Sequence, residues 1–202
     1  MKKSWKRLAI DTATNYIYLC LIIDDKEIET VYEEGINNHS VTIMPKLDQL
    51  LRRHGCQLRE LDEVIVGIGP GSYTGVRIGV AIAKMIGYLN QIKVQSVSSL
   101  ALLASSASAE YVLPMIDARR NNAFMAIYQT KHNRLENRVP DMLAPVDSGI
   151  GDSYGDLLVV TTGCPQIAKI LHGDLLREED DIHHLVPNYC QLTEAERNRA
   201  EK

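Results

Sequence analysis

The sequence predicts an α/β protein built as two related lobes, each a mixed sheet covered by helices, with the second lobe the smaller. Two observations carry this. The first half reads as three strands, a helix, a strand, a helix, a strand and a helix, and a strand–helix alternation after an antiparallel meander implies a mixed sheet under helical cover. An internal echo supplies the second: Ile10-Asp11-x-x-x-Asn15 recurs 106 residues later as Ile116-Asp117-x-x-x-Asn121, each copy following an apolar run and preceding another. The 202 residues, 45% of them apolar, suffice for a real core but are tight for two full-sized domains. The boundaries read as 1–105 for the first lobe, 106–192 for the second and 193–202 for a C-terminal helix or tail.

The elements follow in order. Leu8-Ala9-Ile10 is an apolar run ending at Asp11, and the polar break from Thr12 to Asn15 leads into Tyr16 to Ile23. Turn chemistry in Asp24-Asp25-Lys26-Glu27 returns the chain as a third strand, Ile28 to Glu33. Ser40 or Thr42 can cap a helix with Pro45 early in it and an apolar face of Ile43, Leu47, Leu50 and Leu51. Arg52, Arg53 and His54 suit its negative end, and Gly55 suits the position just beyond it. Glu63 to Ile68 reads as a buried strand, turned by Gly69-Pro70-Gly71-Ser72 into a helix from about Tyr73 to Leu89. Lys93 to Val97 is a short strand, and Ser98 to Ser106 a third helix.

The second lobe offers Ala123 to Tyr128 as a strand, a polar glycine-containing stretch from Asp147 to Asp156, a strand at Leu157 to Thr162 and a helix at Pro165 to Leu171. The acidic run Glu178 to Asp181 reads as a solvated loop. In the tail, Thr193 and Glu196 are spaced as a capping box.

Composition excludes some functions. Lys and Arg number 12 against 11 acids up to residue 105 and 10 against 15 after it, so neither part has the basic excess of a protein that grips nucleic acid unaided. Cys20, Cys56, Cys164 and Cys190 form no C-x-x-C pair and read as reduced thiols. The basic start, Met1 to Arg7, runs into Leu8-Ala9-Ile10-Asp11 without the apolar stretch of an export signal, and the longest apolar run, Ile17 to Ile23, is far too short to span a bilayer. The expectation is a cytoplasmic protein with no membrane contact.

Three stretches could carry chemistry. Asp11-Thr12-Ala13-Thr14 has the make-up of a phosphate-gripping loop, a carboxylate for a metal-bound water and hydroxyls for phosphate, although a turn with local hydroxyl hydrogen bonds has the same composition. Asp117-Ala118-Arg119 occupies the matching place in the second lobe, where a phosphate would favour Gly and a bulky Arg119 stands against a nucleotide clamp. The loop Gly69-Pro70-Gly71-Ser72-Tyr73-Thr74-Gly75 can present backbone N–H groups to an anion or can be a tight strand-to-helix turn; it lacks the Gly-Lys-Ser/Thr of a Walker A loop. Along the helix that follows, Gly75, Gly79, Ala83 and Gly87 recur every four residues as a row of small side chains, which permits close approach of another helix. With Ile78, Ile82, Met85 and Leu89 read as the core face, this row reads as a partner interface, flanked by the helix of Ile43, Leu47 and Leu51. Histidines offer little: His39 has Ile43 four residues on, so no two-His helical face forms, and His183-His184 read as a surface pair.

At Leu8-Ala9-Ile10-Asp11-Thr12-Ala13-Thr14, Asn38-His39-Ser40, Gly69-Pro70-Gly71-Ser72-Tyr73-Thr74-Gly75-Val76-Arg77-Ile78-Gly79 and Ile116-Asp117-Ala118-Arg119, the chain resembles the TsaB (YeaZ) family, across about residues 7 to 128. The resemblance implies two RNase H-like lobes of the actin/Hsp70 (ASKHA) type. It also implies the dimerisation subunit of the bacterial complex that makes threonylcarbamoyladenosine in tRNA, heterodimerised with the catalytic paralogue TsaD and cooperating with the ATPase TsaE. In that family TsaD transfers the threonylcarbamoyl group to the adenosine beside the anticodon and holds its metal with a His pair. Here only His39 falls in the comparable region, so no catalytic residue and no metal ligand carries over, and the older glycoprotease-like or M22 peptidase-like label fails for the same reason. Asp11, Thr12, Thr14 and Asp117 then read as a vestigial phosphate loop. ATP or ADP and Mg belong to the assembled complex, tRNA is reached through the complex, and a homodimer through the same face is expected when the partner is absent. The alternatives are an ATP-dependent kinase or ATPase of the same fold, using Asp11 and Asp117 around Mg-ATP, and a self-sufficient homodimeric binding module.

Overall fold

The computed structural model describes residues 4–35 and 38–190. The first sheet starts with β1 (Lys6–Asp11), β2 (Tyr16–Ile23) and β3 (Lys26–Glu34), antiparallel in sequence, as the alternating apolar pattern and the Asp24-Asp25 turn dictate. Both turn residues have positive φ, which Asp tolerates. α1 (His39–Arg53) follows, then β4 (Glu63–Gly67), parallel to β1. α2 (Tyr73–Asn90) leads to β5 (Lys93–Val97), parallel to β4. α1 starts one residue before the expected cap: Asn38 holds the cap position with no side-chain bond, and the Thr42 hydroxyl instead donates to the Asn38 carbonyl. Gly55 lies in the left-handed region just past α1, as its position in the sequence requires.

α3 (Ser99–Ser105) is capped by the Ser98 hydroxyl, which accepts from the N–H groups of Leu100 and Ala101. The second sheet comprises β6 (Tyr111–Asp117), β7 (Asn122–Lys131), β8 (Arg134–Pro145) and β9 (Leu157–Val160), in the order β8-β7-β6-β9. It repeats the β3-β2-β1-β4 arrangement of the first sheet, with the strand ending at Asp117 in the place of the strand ending at Asp11, and β9 parallel to β6 as β4 is to β1.

Two of the three apolar clusters tie the sheets to the helices, the third (Leu113, Ala123, Met125, Ile127) lying in the second lobe. One face of the first sheet (Leu8, Ile10, Leu19, Val64, Val66) packs against α1 and α2 through Ile43, Leu47, Leu50, Val76, Val80 and Ile86. The other face (Ala9, Tyr18, Cys20, Ile65) packs on α3, whose Leu100, Leu103 and Ala104 also meet Phe124, Ala126 and Tyr128 of the second sheet. A single helix therefore serves both lobes.

Four expectations need correction. β8, the longest strand, carries no strand signal in the sequence because its run is broken by Pro140, Pro145 and five polar or charged residues; as an edge strand it tolerates both. The expected helix from Pro165 to Leu171 is a single 3-10 turn, Ile167–Lys169. The acidic run is not a free loop: β10 (Arg177–Glu178) pairs with β5, and Lys93 bonds Glu178 at 2.8 Å. The chain from 177 onward thus returns to the first lobe, with Ile182 and Leu185 in its core, so the expected second-lobe boundary at 192 lies too late. The expected tail, 193–202 with its Thr193–Glu196 capping box, lies outside the described residues.

Candidate functional site

The loop after β1 is the natural place for phosphate chemistry, and its groups are already engaged. The Asp11 carboxylate accepts from the Ser99 hydroxyl (2.9 Å) and the Ala13 N–H (3.1 Å), while the Ser99 oxygen accepts from the Gly69 N–H (3.0 Å). Asp11 is only 6% exposed, and burial pushes its carboxyl up to about 6, the hydrogen bonds pulling the other way. The Thr12 hydroxyl donates to the Gly75 carbonyl at 2.7 Å, and the Ser72 N–H donates to the Ala13 carbonyl at 2.7 Å. The start of α2 therefore sits directly on the loop. A Cβ at Gly75 would lie 2.0 Å from the Thr12 carbonyl oxygen, one at Gly71 2.3 Å from the Ala13 carbonyl oxygen, and one at Gly79 2.7 Å from the Thr12 hydroxyl. These glycines let α2 seal the loop from above.

This geometry corrects the expected partner interface. Gly75, Gly79, Ala83 and Gly87 face inward, against the β1 loop and β5, where a Gly87 Cβ would meet Val94 at 2.4 Å. Ile43, Leu47 and Leu51 are likewise buried under α1. Small residues mark where a neighbour approaches most closely, and here that neighbour is the helix's own lobe. The real core face is Val76, Val80, Ala83 and Ile86, with Ile78 half-buried at its margin, whereas Met85 and Leu89 turn outward, 42% and 69% exposed. Ile82, read with them, is buried.

Between the lobes lies a cleft of about 1150 Å³, walled by Thr14, Asn15, Ser72 and Thr74 on one side and by Ile116, Asp117, Arg119 and Thr162 on the other. Of the four residues expected as a vestigial phosphate loop, the structure brings Thr14 and Asp117 to this cleft and withdraws Asp11 and Thr12 beneath it. On the second-lobe side Asp117 accepts from the Arg119 N–H at 2.8 Å, and Arg119, Arg120 and Asn121 all have positive φ, a tight hairpin joining β6 to β7. Tyr32 bridges the two lobes beside the cleft-lining Thr162: its hydroxyl accepts from the Gly163 N–H (3.3 Å) and lies 3.4 Å from the Thr162 hydroxyl.

No local sequence signal pointed to Ser99, to Tyr32 or to the returning segment 177–190, because each acts through contacts distant in sequence. That segment runs along α2: Lys84 Nζ donates to the carbonyls of His183 (2.9 Å) and Leu185 (3.1 Å), and Tyr73 stacks on Tyr189 with ring centroids 5.1 Å apart. The Arg77 guanidinium lies 3.8 Å over the Tyr73 ring and donates to the Tyr189 hydroxyl at 2.7 Å. His183 meets Tyr88 edge-on and His184 bonds Asp181 at 2.7 Å, so the exposed histidine pair packs locally.

Fold and site together define a two-lobed RNase H-like protein of the ASKHA class whose loop after β1 is covered by its own helix α2. A family model described as "TsaD: tRNA N6-adenosine threonylcarbamoyltransferase" matches residues 26–183. The chain is 33% identical to the tRNA threonylcarbamoyladenosine biosynthesis protein TsaB of Bacillus subtilis (strain 168), over 94% of this chain and 95% of that one. To the TsaB of Escherichia coli (strain K12) it is 35% identical, over 92% and 86%. Among solved structures, YeaZ from Pseudomonas aeruginosa superposes with a TM-score of 0.73 at 28% identity, covering 80% of this chain and 81% of that one. The chain belongs to the TsaB (YeaZ) family.

Proposed function

We propose that this chain serves tRNA threonylcarbamoyladenosine biosynthesis as a non-catalytic subunit that docks a TsaD-like catalytic paralogue on the outer face of α2. The observation that carries the reading is the sealed loop: the Asp11–Thr14 turn after β1 is occupied by the carbonyl, hydroxyl and glycine contacts that bind α2 to it. Asp11 does not line the cleft and bears a proton more readily than an ordinary carboxylate, which makes it a poor anchor for Mg-ATP and disfavours the kinase or ATPase alternative. The same packing leaves Ala81, Met85 and Leu89 as an outward apolar stripe over about two turns, with Val41 of α1 also exposed. ATP or ADP, Mg, a TsaE-like ATPase and tRNA then act in the assembled complex, a role compatible with the chain's net charge of −4.

Co-expression with the paralogue, followed by size-exclusion chromatography, tests the docking face. Met85→Glu and Leu89→Glu should abolish the heterodimer while leaving the melting temperature of the isolated chain within about 2 °C, since both side chains are already solvated. A heterodimer that tolerates both charges overturns this face. Magnesium-dependent ATP turnover by the isolated chain that Asp11→Ala removes overturns the non-catalytic role.

A further inference from the structure

The chain is acidic, with 22 Lys and Arg against 26 Asp and Glu, but its helical face is not. α1 and α2 together hold five Lys and Arg residues, Lys46, Arg52, Arg53, Arg77 and Lys84, against a single acid, Asp48. The three on α1 are paired: Lys46 with Glu33, Arg52 with Asp48 at 2.9 Å and Arg53 with Glu29 at 2.6 Å. The two on α2 lack a counter-charge. α2 contains no acidic residue, and among the described residues no carboxylate bonds Arg77 or Lys84.

Arg77 belongs to the outward stripe. Tyr73, Arg77, Ala81, Met85 and Leu89 recur every four residues as one ridge, every member exposed. The guanidinium is held in place: it lies 3.8 Å over the Tyr73 ring, its Nε donates to the Tyr189 hydroxyl at 2.7 Å, and another of its nitrogens donates to the Tyr73 hydroxyl. Both anchors are neutral, so they fix the rigid fork without cancelling its charge, and its remaining N–H donors stay open to an acceptor. Ordering a long side chain in advance removes an entropy cost that binding would otherwise carry. Lys84, in contrast, is bonded to the carbonyls of His183 and Leu185.

We infer that Arg77 selects the occupant of the docking face: a partner protein with a carboxylate opposite Arg77, in preference to a second copy of this chain. The inference rests on the docking face proposed above and adds the partner's charge to it. The occupant follows from charge complementarity. A second copy would bring the same two cations on α2 and, from its helices, only Asp48, which Arg52 already holds. However two copies cross, α2 of one has no acid to offer Arg77 of the other. Packing the ridge then sets Arg77 against apolar side chains or another cation, a desolvation cost with no counter-charge. An acidic partner offsets that cost with a bidentate, charge-assisted contact. A homodimer through the same face is therefore the weaker of the two, and the acidic partner displaces it.

Sedimentation equilibrium of the full chain, alone and mixed with the purified TsaD-like paralogue, measures both dimers at about 50 mM and about 500 mM salt. Salt should weaken the heterodimer and leave the homodimer unchanged or tighter. Arg77→Gln should weaken the heterodimer about tenfold or more without weakening the homodimer, and Arg77→Lys, which keeps the charge but loses the fork, should fall between. Met85→Glu separates the two readings. A heterodimer that tolerates Met85→Glu overturns the docking face itself, whereas one lost on Met85→Glu but indifferent to Arg77→Gln overturns only the role of Arg77. A homodimer as tight as the heterodimer, or equal weakening of both by Arg77→Gln, would also overturn that role. Should Arg77→Gln lower the melting temperature, the salt dependence of the two wild-type dimers decides the matter.

Discussion

Asp11 shows how one buried carboxylate couples local geometry to the stability of the fold. Its hydrogen bonds from Ser99 and Ala13 favour the charged form, yet desolvation dominates and places the group at about 6, against an ordinary value of 3.8. Between about pH 4 and pH 6 the folded chain therefore holds a proton that the unfolded chain has released. Stability should fall as pH rises through that window and level off above it. The shift corresponds to about 2–3 kcal/mol. Asp11→Asn removes the ionisation, so urea midpoints measured from pH 4 to pH 8 should fall more steeply for the wild type than for the variant. Parallel pH profiles would contradict the desolvation of this carboxylate.

At the scale of elements, α2 illustrates two demands on one helix. Its inward row is small because the β1 loop and β5 lie hard against it, and its outward stripe is apolar with Met85 and Leu89 exposed. Alanine is the better helix former by about 1 kcal/mol, but at Gly75 its Cβ would meet a carbonyl oxygen at 2.0 Å, and a backbone atom cannot swing aside. Gly75→Ala should accordingly destabilise the isolated chain by about 1–3 kcal/mol. Ala81→Leu, on the exposed side of the same helix, should leave the midpoint within about 0.5 kcal/mol. Chemical denaturation of the two variants side by side gives the comparison, and equal effects would mean that the helix is rotated from the orientation described.

The molecule as a whole is joined through α3 and the segment that follows the second sheet. Lys169, almost wholly buried, donates through Nζ to the Ser105 carbonyl at 2.9 Å and to the Ala107 carbonyl, and the Gln166 N–H donates to the Ser105 hydroxyl at 2.9 Å. The carboxyl end of α3 is thus tied to the 3-10 turn Ile167–Lys169, while its sides hold both sheets. Lys169→Met keeps the apolar stem but strips two buried carbonyls of their donor, at a cost of about 1–3 kcal/mol. Because the two lobes share one cluster, the loss should appear as a shift of a single transition, seen alike by far-ultraviolet circular dichroism and tryptophan fluorescence from Trp5. Separate transitions for the two probes would show that the lobes unfold independently.

Local pattern was enough for much of this. The meander from Leu8 to Glu33, the helices after Asn38 and Ser72, the strand into Gly67 and the echo of Ile10-Asp11 at Ile116-Asp117 are legible because period, turn chemistry and caps act over a few residues. The glycine-rich run at 69–79 was also visible as a place of close approach. Which body approached was not, because a row of small residues specifies a distance and not a neighbour. The same limit hid β8, an edge strand whose prolines and charges are acceptable only where no second strand pairs outside it, and β10, whose two residues become a strand only because β5 is there to receive them. The sequence by itself determined the elements of the first lobe up to α3, the repeat and the family. Tertiary structure alone decided that α2 turns its glycines onto the Asp11 loop and its Met85 and Leu89 to solvent, since that choice depends on what the rest of the chain places beside the helix.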